Sequence, residues 1–187
     1  MSTQKEIRSK GKKARRSLSH EERKSFSAKI VQRIANSPLF FSASNIMIYA
    51  ALEEEVDLSS LRSLAGSRDK QFYYPRVQGE DMIAISPYSL DAWTTGSFGI
   101  REPDPTRSTQ IAPNQLDLII CPCTAFDETC SRVGMGGGYY DRFLPLCINA
   151  AVIAVAFECQ KAENIPVQDT DIRMDAVFTE KTVYTAK

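Results

Sequence analysis

The chain has 187 residues, 43% of them hydrophobic and 25% charged, and its 23 Lys plus Arg balance 23 Asp plus Glu. That length suits one folded unit whose core needs no metal or disulfide staple, and the zero net charge gives no global attraction to nucleic acid or an anionic membrane. Five cysteines without a C-x-x-C pair, and a lone His20 remote from them, argue against a zinc site. Residues 1–13 are polar and basic with no apolar secretion core, and no stretch approaches the roughly 18 apolar residues of a membrane span. The expectation is a cytoplasmic protein with reduced thiols.

In chain order, Thr3-Gln4-Lys5-Glu6 reads as a capping box that opens a basic helix over residues 3–18. Its run of Lys5, Arg8, Lys10, Lys12, Lys13, Arg15 and Arg16 can be a solvated face, a nucleic-acid contact or an anion-binding element. A second box, Ser19 to Glu22, opens a helix with the apolar stripe Phe26, Ile30, Val31 and Ile34, ended by Asn36-Ser37-Pro38. Residues 45–51 predict a buried strand, followed by the acids Glu53, Glu54 and Glu55, at least one of them solvated. Asp57 can cap a short helix to about Ala65. Residues 71–74 read as a strand closed by Pro75, and 81–86 as another. Residues 87–115, with four prolines and two glycines, read as a long irregular connection in which Trp93 is a packing residue or a stacking platform and Arg101 and Glu102 can form a surface ion pair. Strands are expected at 116–121, 151–157, 175–179 and 183–184, with a helix at 139–148 that turns Phe143 and Leu144 inward. Short strands alternating with helices predict an α/β fold: three layers, with a mostly parallel sheet flanked by helices.

Four of the nine glycines cluster in Arg132-Val133-Gly134-Met135-Gly136-Gly137-Gly138-Tyr139-Tyr140-Asp141-Arg142, between a strand and a helix. Such a run is either a tight structural turn or a ligand loop, because glycine permits positive φ and close approach to the main chain. Main-chain N–H groups converging there would accept an anion. The segment lacks the G-K-[ST] of a P-loop and the spacing of a dinucleotide fingerprint. Its flanks favour a ligand: Arg132 and Arg142 can neutralise phosphate, Asp141 can hold Mg²⁺, and Tyr139 and Tyr140 offer flat faces and hydroxyls.

The segment from Arg132 to Asp141 resembles the signature of 5-formyltetrahydrofolate cyclo-ligases, also called methenyltetrahydrofolate synthetases. Further blocks agree in order: Ile48-Tyr49 with Glu54 to Asp57, Phe98 to Pro103, Leu116 to Asp127, then Asp171 and Met174-Asp175. The resemblance spans nearly the whole chain. It implies a sugar-isomerase and CoA-transferase-like fold, and conversion of 5-formyltetrahydrofolate and ATP to 5,10-methenyltetrahydrofolate, ADP and phosphate with Mg²⁺. Position by position it implies ATP contacts at Lys5, Arg8, Arg132, Gly134, Met135, Gly136, Gly137, Gly138, Tyr139 and Tyr140. It also implies folate contacts at Glu55 and Tyr140, catalytic roles for Arg132, Tyr140 and Asp141, and Mg²⁺ association at Asp141 and Asp171. Two positions depart from the family pattern. Gln4 stands where a basic residue is common, with Lys5 one place off, and Thr170 stands where a histidine often precedes the acid. The expected partners are a reduced folate and ATP, without nucleic acid or membrane, in a monomer or weak dimer. A kinase or ligase acting on another small acid and a non-catalytic folate- or RNA-binding descendant are the rival readings.

Overall fold

The apolar runs of this chain are hydrophobic on both faces, as strands covered on two sides must be. The computed structural model describes residues 2–64, 70–89, 91–96 and 99–186. In chain order its elements are α1 (Gln4–Arg16), α2 (His20–Ala35), α3 (Pro38–Ser42), β1 (Asn45–Met47), α4 (Leu61–Leu64), β2 (Gln71–Gln78), β3 (Asp81–Pro87), β4 (Trp93–Thr95), β5 (Arg101–Pro103), β6 (Ser108–Ile111), β7 (Leu118–Pro122), β8 (Ala125–Phe126), β9 (Arg132–Val133), α5 (Tyr139–Phe143), β10 (Ala151–Val155), β11 (Ala176–Phe178) and β12 (Val183–Thr185).

Eight strands form one sheet in the order β12-β11-β10-β7-β1-β2-β3-β6. The five from β11 to β2 run parallel, and β12, β3 and β6 are antiparallel to their neighbours. β4–β5 and β8–β9 are separate hairpins. Successive side chains alternate between two cores, as a period of two requires. Ile46, Leu118, Ile120, Ile153 and Val155 pack on the side of α2, α3 and α4, with Ile30, Ile34, Phe40 and Leu61. Met47, Ile119, Cys121, Val152 and Ala154 pack on the other side with Phe143, Leu144 and Met174. Each such buried aliphatic side chain contributes about 1.5–3 kcal/mol. The mostly parallel, two-sided α/β sheet is the architecture the sequence predicted.

Both capping boxes form. Thr3 Oγ1 accepts from Glu6 N and Glu6 Oε2 from Thr3 N; Ser19 and Glu22 repeat the exchange. The α2 stripe is as expected, with Ile30, Val31 and Ile34 buried. Helix α1 has too few apolar residues to build a core of its own. It lies on the β8–β9 hairpin through Ile7, which packs with Ala125, Val133 and Ile165. A side chain at Gly11 would overlap the main-chain carbonyl of Thr124, so glycine lets the helix seat directly on backbone.

Several boundaries differ from the sequence reading. Pro75 does not close β2, which continues to Gln78 in register with β3. β1 pairs with β2 only as far as Tyr73, so at Pro75 the strand has one partner and tolerates a missing N–H. The stretch 87–115 is not irregular: it holds β4, β5 and β6, short strands whose alternation is masked by prolines. The helix after the glycine run ends at Phe143 and tightens into a 3₁₀ turn over Leu144–Leu146, where Pro145 cannot continue the α pattern. β1 stops at Met47 and β7 starts at Leu118. Asp57 closes a local turn onto Ser59 N and Oγ instead of capping α4; Ala65, and Phe98 of the resembling block, lie outside the described residues.

Candidate active site

Counting outward from β1, the chain runs to β2 on one side and later returns through β7 to β10 and β11 on the other. The switch point therefore lies between β1 and β7, and open α/β sheets bind ligands in the crevice at the carboxyl ends of strands flanking such a point. A cavity of about 1060 Å³ opens there. Tyr49 and Glu55 line it from the segment after β1, Tyr74 from β2, Cys123 from the end of β7, Arg101 and Glu102 from β5, and Gln4 and Arg8 from α1. The glycine run forms one wall, and residues 168–172 complete the rim.

The loop is delivered by the β8–β9 hairpin. Its turn is fixed by buried Asp127, whose carboxylate accepts from Thr129 N, Ser131 N and Ile165 N. Within the loop, Gly136 and Gly138 sit at φ values of 103° and 68°, backbone that L side chains rarely adopt. No main-chain N–H from residue 134 to 138 donates to a protein acceptor among the described residues. Main-chain donors left open in a cavity wall are the kind of groups that anion sites use.

Cations surround this wall. Arg8 Nε donates to Gly134 O at 2.8 Å, leaving its two terminal nitrogens beside Gly136. Arg132 is buried, pairs with Asp141 (Nη2 to Oδ1, 2.8 Å) and stacks over the Tyr140 ring at 5.4 Å. Its Nε is buried without a hydrogen-bond partner. Arg142 donates to Glu80 O from Nε and Nη2 and to Gly137 O from Nη1, bracketing the β2–β3 turn against the loop. Burial pushes the Tyr140 hydroxyl well above the usual phenol range, so it remains a donor near neutrality.

At the other end, Glu55 is buried, with Oε1 accepting from Arg15 Nη1 at 3.2 Å and Oε2 from Leu52 N at 3.1 Å. Burial raises its carboxyl above the usual range, against the pull of Arg15. Glu53 is solvated, and Glu54 binds Arg15 and Arg16. Trp93 packs edge-on against Tyr74, with ring centres 4.7 Å apart, in place of projecting as a free platform. Arg101 and Glu102 do not pair with each other. Arg101 lies over Trp93, and Glu102 pairs with Arg76 at 3.4 Å and covers Gly96, whose missing side chain makes the room.

The structure thus brings together Arg8, Arg132, Gly134, Met135, Gly136, Gly137, Gly138, Tyr139, Tyr140, Asp141, Glu55 and Asp171 around one cavity. Lys5 does not join them: it is exposed, while Gln4, about 100° away on the helix, lines the cavity. Gln4 Nε2 donates to Asp171 Oδ2 at 2.7 Å and to Pro166 O at 2.9 Å. Sequence reasoning also missed Arg15 as a buried partner of Glu55. The signal was present in the spacing: Gln4, Arg8, Gly11 and Arg15 fall at intervals of four, three and four, one stripe of a helix.

No cluster of three metal-ligating side chains occurs among the described residues. Mg²⁺ does not demand one, since it takes one or two carboxylates together with substrate phosphates and waters. Asp141 Oδ2 and Asp171 Oδ1 carry no hydrogen bond from the described residues, and both residues line the cavity. This hard-oxygen donor set fits the ion. No helix among the described residues is long and apolar enough to cross a membrane.

Fold and cavity together define an α/β protein with a crevice at the switch point of its sheet, lined by Arg8, Arg132 and the glycine run. The chain belongs to the 5-formyltetrahydrofolate cyclo-ligase family, whose model matches residues 1–180. It is similar to the 5-formyltetrahydrofolate cyclo-ligase of Haemophilus influenzae, 30% identical over 179 residues, covering 92% of this chain and 96% of the relative. The mouse 5-formyltetrahydrofolate cyclo-ligase is 28% identical over 93% of this chain and 92% of its own. The structure of Aquifex aeolicus 5,10-methenyltetrahydrofolate synthetase matches with a TM-score of 0.86 at 32% identity, covering 98% of this chain and 93% of that one.

Proposed function

We propose that this protein closes the ring of 5-formyltetrahydrofolate to 5,10-methenyltetrahydrofolate at the expense of ATP, releasing ADP and phosphate. The observation that carries the reading is the pairing, in one cavity, of uncommitted main-chain donors at 134–138 beside Arg8 and Arg132 with a buried carboxylate at Glu55. The volume of about 1060 Å³ stands at the upper end of the range for ligand pockets, about 300–1,000 Å³, in keeping with a site for more than one small ligand. Family membership and the named relatives support the same reaction.

A formamide carbon is a poor electrophile and its oxygen a poor leaving group. In this reading the formyl oxygen attacks the γ-phosphorus of ATP and the bond to ADP breaks. N10 of the folate then attacks the formyl carbon, the carbon–oxygen bond breaks, and phosphate leaves with that oxygen while N10 gives up its proton. Closure within one molecule needs chiefly orientation and exclusion of water. Phosphoryl transfer needs positioning and charge stabilisation. The loop N–H groups, Arg8 and Arg132 hold the triphosphate. Glu55 accepts hydrogen bonds from the reduced pterin, and the protonated Tyr140 hydroxyl donates between the two substrates. Asp141, with Asp171 at the rim, would hold Mg²⁺, which supplies charge neutralisation on the phosphates. The cytoplasm is the compartment that fits buried free thiols.

The test is purified protein mixed with 5-formyltetrahydrofolate and MgATP. Methenyl absorbance should rise only when both are present. ATP consumption with a different acid and none with the folate would sink the reading, as would folate binding without turnover.

A further inference from the structure

Four residues on one stripe of α1 make the contacts that seat the helix beside the cavity. Gln4 reaches Asp171 on the rim, Arg8 reaches Gly134 of the glycine loop, Gly11 seats on the Thr124 carbonyl, and Arg15 reaches Glu55 and Glu54. Arg8 and Arg15 are seven residues, about two turns or 10.5 Å, apart. Arg15 is 1% exposed and does not line the cavity; it stands behind Glu55. Its Nη1 and Nη2 each bond a carboxylate at 3.2 Å, and its Nε has no hydrogen-bond partner among the described residues. A guanidinium buried so fully is retained only where its fork is used.

We propose that Arg15 is a positioning residue for the acceptor substrate: its guanidinium fixes Glu55 as an oriented carboxylate at the folate end of the cavity, from the same helix that places Arg8 at the nucleotide end. This rests on the reading of Glu55 as a folate contact. Each oxygen of Glu55 already accepts one protein donor, and each retains a lone pair for a substrate donor. Were the Arg15 cation removed, burial would be opposed only by the Leu52 N–H bond. Glu54 from its own turn raises the carboxyl further; Tyr49, Tyr140 and Cys123 are near enough for the Glu55 charge to add to the upward shift that burial gives them, and they stay neutral. None of these supplies a replacement positive charge.

The sign of the effect is set. Glu55 accepts at both oxygens, and with full charge, only while ionised, so raising its carboxyl further weakens folate recognition as pH falls through the new value. Steady-state kinetics of wild type, Arg15→Lys, Arg15→Met and Glu55→Gln across acid to mildly alkaline pH test this. For Arg15→Met, KM for 5-formyltetrahydrofolate should rise about ten- to hundredfold, with KM for ATP nearly unchanged and a new acid limb in kcat/KM for the folate. Glu55→Gln should lack that limb, and Arg15→Lys should restore part of the folate KM without it. A folate KM and pH profile equal to wild type in Arg15→Met, or equal rises in both KM values, overturn the proposal. If Arg15→Met does not fold, Arg15→Lys decides alone: a rise of severalfold confined to the folate KM supports the role, and no rise or an equal rise in both refutes it. A wild-type protein that makes no methenyl product refutes instead the reading of the site.

Discussion

Arg132 and Asp141 face each other across the root of the glycine loop, Nη2 to Oδ1 at 2.8 Å, with side chains 3% and 29% exposed. The pair joins β9 to α5 and so fixes the two ends of the loop. Asn at position 141 would still accept from Arg132, so the fold should lose only about 1 kcal/mol. The negative charge proposed to act near the phosphates would be gone. Asp141→Asn should therefore cut turnover about a hundredfold or more while thermal melting moves by a few degrees. Activity and melting temperature measured together decide, and proportionate losses would assign Asp141 to structure.

Arg8 gives one nitrogen to the loop and keeps two beside Gly136. Arg8→Ala should raise the KM for ATP about ten- to hundredfold, the worth of a lost charge-assisted hydrogen bond, and leave the folate KM nearly constant. An unchanged ATP KM would remove α1 from the nucleotide site.

Gly11→Ala sets two effects against each other. Alanine improves an α-helix by about 1 kcal/mol over glycine, and on an exposed face it would stabilise. Here the new methyl meets the Thr124 carbonyl, which is main chain and cannot rotate away. We expect lower melting temperature and weaker ATP binding, because α1 must lift from the wall that Arg8 serves. A stabilised variant with normal ATP affinity would mean that the helix seat is not fixed.

Gly136 at φ 103° should resist substitution for a conformational reason. A β-carbon there has ordinary clearance, its nearest neighbour being the Arg8 guanidinium, so the loss in Gly136→Ala comes from backbone strain of about 1–3 kcal/mol. Titration calorimetry with a nonhydrolysable ATP analogue should detect weaker binding, and unchanged affinity would show that the loop does not need this bend.

Cys121, Cys123 and Cys147 are buried, and burial pushes each thiol up to about 12. Near pH 8 only roughly one in ten thousand of each is thiolate. A thiol reagent followed by mass spectrometry should label the exposed Cys159, itself slowed by a raised pKa, and the remaining thiols only after denaturation. Rapid labelling of Cys123 in native protein would contradict the closed packing at the cavity floor.

Much of this was legible because it is written locally. Thr3 with Glu6 and Ser19 with Glu22 announce helix starts through side chains within one turn, and the glycine cluster announces a loop whose backbone needs positive φ. Strands β7 and β10 were visible as apolar runs because both faces are buried. What escaped depends on partners far along the chain. Pro75 is tolerated in β2 only because β1 ends early, a fact no window around residue 75 contains. β4, β5 and β6 are too short for a period of two to stand out among prolines. Arg15 looked like one more charge in a basic run, since nothing near it says that Glu55, forty residues on, will close over it. Lys5 and Gln4 were exchanged for the same reason: which face of α1 meets the cavity is set by Gly11 and Ile7 seating on β8–β9.

The seat of α1 also governs how the protein should be handled. Ser2 is two residues from Gln4, whose amide is latched to Asp171 and Pro166, whereas β12 is an edge strand of the sheet, beyond β11 and β10. A purification tag or fluorescent fusion at the amino end would crowd that latch and depress apparent nucleotide affinity. The same appendage joined after β12, none of whose residues line the cavity, would leave that latch untouched.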